Sequence, residues 1–330
     1  MTRPTISVAM SVYSGARFLE SAIESVLAQT FTDFEFLILD DGSSDGSLAI
    51  IERAAARDPR VRAITRENRG LVYSLNQMIA EARADLIARM DADDLCLPER
   101  FERQLAFLEA NPDYGVVGTF TRDIDVNGLP FPLGGAEHPE THDEFLTAIA
   151  AHGPLLAHPS VMMRRDVLLE VGGYHAAFRH CEDFDLWLRL ADRTKIGNLT
   201  DRLLVYRHYA EQVSNRHSVE QQYGVAISRL AHDERAAGRP DPTEDLEALP
   251  PIDELDALFG REGVSRQVRA TMARALLYST AALTGPAFDI ILQHVSEGGR
   301  GRSLWYTVPR LVRLGEPRRA ARLAAALAGV

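Results

Sequence analysis

Apolar positions in the first third of the chain follow two alternating rhythms. Ile6 to Val12 is a mostly apolar run of the kind that a central parallel strand shows. A stripe at helical spacing follows, made of Phe18, Leu19, Ala22, Ile23, Val26 and Leu27. The same pair of signals recurs. Phe34 to Leu39 reads as strand and Ser47 to Arg57 as helix, then Val61 to Thr65 as strand and Leu71 to Ala82 as helix. Asp85 to Met90 is a further strand. Pro98 suits the first turn of a helix that runs to about Ala110 and is closed by Asn111-Pro112. Strand followed by helix, repeated, predicts an α/β layer fold with a mostly parallel sheet, helices on both faces and right-handed crossovers.

Beyond Asn111 the regularity loosens. Tyr114 to Thr121 reads as strand, Asn127-Gly128 as a hairpin turn, Pro139 to Ala151 as helix, and His158 to Arg164 as strand. Asp166 to Val171 is a short helix stopped by Gly172-Gly173. Cys181-Glu182-Asp183 opens a helix that turns Leu186, Trp187 and Leu190 inward, and Leu203 to Tyr206 is the last strand. From about Ser214 the pattern becomes helical segments separated by breakers: Gly238 to Pro242, Leu249-Pro250-Pro251, and Gly298 to Gly301. The expected organisation is an α/β domain over residues 1–213, with halves 1–110 and 111–213, and a helical extension over 214–330.

Composition changes the picture in two places. Hydrophobic residues at 46% and charged residues at 25% are ordinary for a globular chain of 330 residues, and the net charge of −11 argues against nucleic acid as a partner. The charge is uneven: Gly299 to Val330 holds seven arginines and one acid, Glu316, a net +6 that leaves −17 on the rest. No apolar run reaches the length of a membrane span, and Met1-Thr2-Arg3-Pro4 leads straight into a strand. Cys96 and Cys181 are the only cysteines, too few for a disulfide framework, so a reducing cytoplasmic setting is expected.

The chemistry concentrates at strand ends. In an α/β sheet ligands bind beyond the carboxyl ends of the strands, where Ser11-Val12-Tyr13, Asp40-Asp41 and Asp91-Ala92-Asp93-Asp94 all fall. Residues two apart in an extended segment project to one side, so Asp91 and Asp93 can face one point. At roughly 6 Å such a pair repels by about 2–3 kcal/mol at an effective dielectric near ~20. A divalent cation with oxygen ligands would compensate; an acidic loop capping a strand is the competing reading.

Taken in order, these motifs resemble a known family. Ser11-Val12-Tyr13, Ser25 to Phe31, Asp40-Asp41-Gly42-Ser43, Asn68-Arg69-Gly70, Asp91-Ala92-Asp93-Asp94 with Pro98, Gly172-Gly173-Tyr174 and Glu182-Asp183 look like the series of an inverting family 2 glycosyltransferase of the GT-A fold. The resemblance spans about the first 210 residues and excludes the helical C-terminus. It implies a nucleotide-diphosphate sugar donor of UDP or dTDP type, Mn²⁺ or Mg²⁺, and direct displacement at the anomeric carbon with a carboxylate base.

Residue by residue, it implies Asp183 as the base, with Glu182 the lesser candidate. The donor would be held by Ser11, Tyr13, Asp41, Asn68, Arg69, Asp91 and Ala92, with Asp41 accepting from a pyrimidine N–H and Tyr13 offering a stacking face. Asp93 and Asp91 would hold the metal, Asp94 only the turn. His158 and Trp187 would stand on the acceptor side. Relatives carry a histidine shortly after a Tyr-Arg pair matched here by Tyr206-Arg207, but that slot holds Tyr209. His208 comes one residue early, on the opposite face of an extended segment, and is the remaining histidine candidate for the metal; His217 is a weaker one.

A saccharide or lipid-linked acceptor follows from the same resemblance, in surface polysaccharide or glycoconjugate synthesis. Leu304, Val308, Leu311, Val312 and Leu314 among arginines suggest a basic amphipathic helix, interrupted by Pro309. Peripheral contact with the inner face of a membrane, or a homodimer, would use it. Two alternatives stand beside the transferase: a noncatalytic nucleotide-sugar-binding scaffold, and a sugar-1-phosphate nucleotidyltransferase. The latter needs a glycine-rich loop after the first strand, where only Gly15 occurs.

Overall fold

A computed structural model describes residues 3–131, 137–209, 212 and 217–329. The chain forms two compact units, Met1–His175 with Glu182–Gln212, and Ala176–Cys181 with Val213–Val330. The boundary expected between 213 and 214 lies outside the described residues.

The first unit is an eight-stranded sheet in the order β3-β2-β1-β4-β7-β6-β8-β5. Its strands are β1 (Ile6–Val12), β2 (Phe34–Asp40), β3 (Val61–Thr65), β4 (Leu86–Met90), β5 (Leu95–Cys96), β6 (Tyr114–Ile124), β7 (Met162–Arg164) and β8 (Lys195–Arg207). The half formed by β3, β2, β1 and β4 is parallel. β7 then runs antiparallel to both β4 and β6.

Two cores cover the two faces, and side-chain alternation decides which strand residue joins which. Ala88 and Met90 of β4 point into a core with Leu19 and Ile23 of α1 (Ala16–Leu27), Ile51 of α2 (Ser47–Arg57) and Phe101 of α4 (Arg100–Ala110). Ile87 points the other way, toward Leu75 and Met78 of α3 (Leu71–Glu81), Phe145 of α5 (His142–Ala151), Leu168 of α6 (Arg165–Glu170) and Trp187 of α7 (Glu182–Ala191).

Several elements differ from their sequence reading. The helix expected from Pro139 begins at His142, because Thr141 and Glu144 close a capping box that fixes the start. The strand expected over His158–Arg164 is reduced to β7, preceded by a 3-10 turn at His158–Ser160. Pairing with β4 reaches Met162, and the Arg89 N–H still donates to the Val161 carbonyl at 3.0 Å before the turn takes the chain out of the ladder. The last strand begins eight residues before Leu203, at Lys195, since β6 supplies a parallel partner along its whole length. β5 was not foreseen; its two residues pair with β8 at Val205 and Leu204.

Where β7 ends, the sheet opens and a buried side chain takes over its hydrogen bonds. Arg100 is fully buried; its Nη2 donates to the carbonyls of Arg89 (2.8 Å) and Val161 (3.1 Å), and its Nε donates to Gln104 (3.0 Å). Gln104 in turn donates to the carbonyls of Val117 and Ser160, both at 2.8 Å. Sequence periodicity alone gave no hint that α4 turns a charge inward.

The second unit is helical. In the helix Ser218–Ala236, Gly224 lets the backbone lie directly on the Cys181 thiol, a position that a Cβ would fill. Helices Val264–Leu276, Phe288–Ser296 and Pro317–Ala328 bury Val268, Met272, Ile291 and Leu323. The helix Arg302–Arg313 runs on through Pro309 as one element, not as two shorter helices. No described helix is long and apolar enough to cross a membrane.

Replacing Arg100 with Met keeps the apolar stem and removes both carbonyl donors. The expected loss is about 2 kcal/mol, chiefly from the buried Arg89 carbonyl left unpaired, since the Val161 carbonyl keeps the Arg89 N–H at 3.0 Å. A urea unfolding curve should show a lower midpoint at an unchanged slope.

Candidate active site

The site forms where β4 leaves the sheet. Met90 ends the strand, Asp91 to Asp94 make the turn, and β5 anchors its far side to β8. Arg207, at the end of β8, fixes the turn from across the sheet: its N–H donates to Asp94 (2.9 Å) and its Nε to the Asp93 carbonyl (2.9 Å). Asp91, Asp93 and Asp94 each offer a carboxylate oxygen within 4.8 Å of the others.

One buried cation sits against this cluster. Arg89 precedes Asp91 by two residues on β4, so both project to the same side, and they form an ion pair. Burial opposes the charge of Arg89, but Asp91, then Tyr174, then Asp94 outweigh it and hold the guanidinium above its ordinary pKa. Arg89 was not among the residues that sequence singled out. The signal was there: an arginine inside a five-residue strand buried along its whole length needs an internal partner.

The carboxylates feel each other despite Arg89. Burial, then the charge of Asp91, pushes Asp93 up to about 6, against a lowering hydrogen bond from Tyr209. Asp94 is driven up further by burial and by Asp93 and Asp91. One Asp94 oxygen accepts from Arg207, while the other is buried with no hydrogen-bond partner. A buried, orphaned carboxylate oxygen beside two more carboxylates fits a hard cation. The cluster therefore includes Asp94, which the sequence reading had left to hold the turn.

The first turn of α7 brings a second acidic pair. Burial, then the charge of Asp183, raises Glu182 to about 7; burial likewise raises Asp183, against the lowering Phe184 N–H and the charge of Arg89. Glu182 is buried, whereas Asp183 is partly exposed and uses one oxygen to accept the N–H of Phe184 at 2.7 Å. Accessibility thus favours Asp183 over Glu182 for contact with a substrate.

His158 and Trp187, expected on the acceptor side, are both buried. The His158 ring nitrogen meets the Tyr174 hydroxyl at 2.7 Å and its ring lies edge-on to Trp187. Burial, then the charge of Arg89, keeps His158 well below its ordinary pKa and so neutral. Tyr174 is placed by α3: Asn76 accepts its N–H at 2.8 Å and donates to its carbonyl at 2.7 Å. Gly173, at φ +71°, leaves room for that amide. Neither His158 nor Trp187 is open to an acceptor; they support the floor beneath Arg89.

His208 is turned away from the aspartates. Its Nε2 faces Asp123 at 3.2 Å and its ring stacks on Phe131. The geometry thus removes it from the expected metal set, because alternation along the extended chain puts the next residue on the cluster side. Tyr209 does face the cluster, donating its hydroxyl to Asp93 at 2.7 Å. His217 stacks on His180 and belongs to the second unit.

The donor-side residues line the ends of β1 to β3. Ser11 is the last residue but one of β1 and Tyr13, just beyond the strand, is 62% exposed. Asp41 is only 2% exposed; it accepts the N–H groups of Arg69 (3.0 Å) and Gly70 (2.8 Å) and pairs with Arg66 at 2.7 Å. Its first observed task is to pin the loop 66–70 against β2. Gly42, at φ +76°, permits that approach, since a Cβ there would come within 2.7 Å of the Asn68 nitrogen. Asn68 and Arg69 are exposed, and the Arg69 guanidinium lies over the Tyr73 ring, 3.3 Å from its centroid. Ala92 is part of the Asp turn, half-buried near Gly15.

Asp93 and Glu182 bind protons more tightly folded than unfolded. Their destabilising effect is absent well below pH 4, and it grows as pH rises through about 6 and about 7. Without divalent metal, Asp93→Asn should therefore stabilise the protein at pH 8, by on the order of 1–2 kcal/mol, and do little at pH 4. Thermal unfolding at both values checks this, and the same variant should lose any stabilisation by added Mn²⁺.

The model of the family described as Glycosyl transferase family 2 matches residues 7–172. EpsE of Bacillus subtilis, named as a glycosyltransferase, is 36% identical over 218 residues, 64% of this chain and 76% of its own. The O-antigen biosynthesis glycosyltransferase WbnJ of Escherichia coli is 34% identical over 211 residues, 61% of this chain and 79% of its own. Among solved structures, S. aureus TarS 1-349 shares the fold at a TM-score of 0.58 and 15% identity, covering 99% of this chain and 92% of that one. The mannosyltransferase PcManGT from Pyrobaculum calidifontis, solved with GDP-Man and Mn²⁺, does so at 0.51 and 19% identity, over 99% of this chain and 86% of that one. With an α/β sheet of GT-A type and a matching family model over half its length, the chain belongs to glycosyl transferase family 2.

Proposed function

We propose that this glycosyltransferase moves a sugar, with inversion, from a UDP- or dTDP-type donor to a hydroxyl of a saccharide that is free or lipid-linked. The observation that carries this reading is the meeting of the Asp91–Asp93–Asp94 cluster with the Glu182–Asp183 pair around one buried guanidinium, Arg89. A binding scaffold has no need of a second acidic pair at raised pKa beside its ligand site. The relatives support the acceptor class, since WbnJ is named for O-antigen and AmsE of Erwinia amylovora for amylovoran biosynthesis. TarS, solved with UDP and with UDP-GlcNAc, supports the donor class.

Each residue then has a task. Exposed Tyr13 stacks on the base, and Asp41 shapes the pocket wall and accepts a pyrimidine N–H with its remaining acceptor capacity. Ser11, Asn68, Arg69 and Ala92 border the nucleotide. Asp91, Asp93 and Asp94 would hold Mn²⁺ or Mg²⁺, which when bound neutralises charge on the leaving diphosphate. Asp183 takes the proton of the acceptor hydroxyl as its oxygen attacks the anomeric carbon. The bond from that carbon to the diphosphate breaks in the same step, and its electron pair leaves with the diphosphate. Glu182 holds a proton up to about pH 7, which keeps a second negative charge away from Asp183. The unit formed by Met1–His175 with Glu182–Gln212 supplies this machinery, close to the domain 1–213 expected from sequence, with the helical segment as a separate domain.

A donor panel of UDP-, dTDP- and GDP-sugars, screened by thermal shift with and without Mn²⁺, tests the binding step. Stabilisation by uridine or thymidine donors that requires the metal is the expected outcome. Asp183→Asn should lower turnover by about 10²–10⁴-fold while donor affinity stays within roughly threefold. Turnover within tenfold of the native enzyme would remove Asp183 as the base.

A further inference from the structure

The basic C-terminal helix does not present the face that its sequence suggested. Leu304 and Leu311 of the expected stripe are buried in the second unit together with Thr307; Val308 and Leu314 are half-buried, and only Val312 of that stripe is exposed. On the opposite side of Arg302–Arg313 the exposed residues are Trp305, Tyr306, Pro309 and Val312, with Arg302 and Arg313 among them. At 100° per residue these six fall within an arc of about 120°. Trp305 is 48% and Tyr306 73% exposed, an unusual outlay of aromatic surface for a helix that already has a core to pack against. Tyr278 extends the same edge, because Arg310 donates to its carbonyl at 3.1 Å, and it too is exposed.

The chemistry of this face is specific. Indole and phenol rings favour the boundary between headgroups and acyl chains, where one end is apolar and the other wet. Arginine stems lie along apolar surface while the guanidinium reaches phosphate. Arg302, Arg313 and Arg318 have no acidic partner among the described residues, whereas Arg319 and Arg322 pair with Glu316 and Asp289. Pro309 also belongs on this side. It withdraws an N–H from the helix, and the carbonyl one turn back is left to solvent or headgroup.

We infer that Trp305, Tyr306, Pro309 and Val312, flanked by Arg302 and Arg313, form a docking face for an anionic lipid bilayer. The occupant is a membrane rather than a second copy because the free charges are all positive. A self-complementary dimer would set these arginines against each other. The inference rests on the proposed function only in its use: a lipid-linked acceptor would be met at that surface.

The test uses the full chain and phosphatidylcholine vesicles with or without about 30% phosphatidylglycerol at roughly physiological salt. Flotation with the anionic vesicles, and not with neutral ones, is expected. Arg302→Gln with Arg313→Gln should lower partitioning about 25-fold, near fivefold for each charge. Trp305→Ser with Tyr306→Ser should abolish it. The chain has two tryptophans, and Trp187 is buried, so brominated acyl chains should quench Trp305 alone and Trp305→Phe should remove the quenching. Flotation that survives the aromatic double variant overturns the assignment. So does a dimer, seen by light scattering, that Trp305→Ser dissociates. Donor turnover in solution should be unchanged in all these variants. If no donor turns over while flotation behaves as stated, the transferase reading fails and the docking face stands.

Discussion

Everything at the site depends on one guanidinium without access to water. Arg89 is held in the sheet by β4 and bears electrostatically on five carboxylates, Asp91, Asp93, Asp94, Glu182 and Asp183. One positive charge can balance one carboxylate, and the geometry gives that place to Asp91. The other four have nothing comparable, and all four are pushed above their ordinary pKa, by burial first and then by neighbouring carboxylates, Asp91 among them in every case. The protein thus folds with a deficit of positive charge at the end of β4. Such a deficit costs stability unless a ligand supplies the missing charge, which is how a binding site differs from a structural ion-pair network.

Beside that guanidinium the ladder between β4 and β7 runs out. The β4–β7 ladder ends at Ala88 and Met162 with the Arg89 N–H still donating to Val161, and without a further donor the Arg89 carbonyl would face an apolar core unpaired. Arg100 provides that donor from α4, and Gln104 extends the network to β6. The opening gives His158, Tyr174 and Trp187 a place behind Arg89. They are uncharged under ordinary conditions, so they fill the space without competing for its charge.

Much of this was legible in the sequence, and the parts that were not share a cause. Apolar runs place β1, β2 and β4, which are buried on both faces, and period-3.6 stripes place their helices, which bury one face each. The carboxylates stand out because acids after apolar strands are costly. Arg89 and Arg100 did not stand out, since a single charge inside an apolar pattern reads as an interruption until its partners are seen across the sheet. Asp94 was undervalued for a similar reason: its burial comes from β8, more than a hundred residues later. The face of the helix Arg302–Arg313 was inverted because leucines mark where a helix packs, and only the packed unit shows that the packing is already satisfied.

Tyr209, in the slot where the resemblance implies a histidine, follows the same logic of charge and donor. An imidazole nitrogen could enter a metal's coordination sphere as a neutral ligand. The Tyr209 hydroxyl instead donates to Asp93, and burial with the neighbouring acids holds its proton firmly in place. It therefore orients one carboxylate and adds no ligand of its own. His208, held by Asp123 and Phe131, does not replace the missing nitrogen. Among the described residues, what the protein offers at this point is oxygen from Asp91, Asp93 and Asp94. An all-oxygen donor set suits Mg²⁺ or Mn²⁺, which accept carboxylate and phosphate oxygen together, and it disfavours the softer ions that nitrogen and sulfur ligands select.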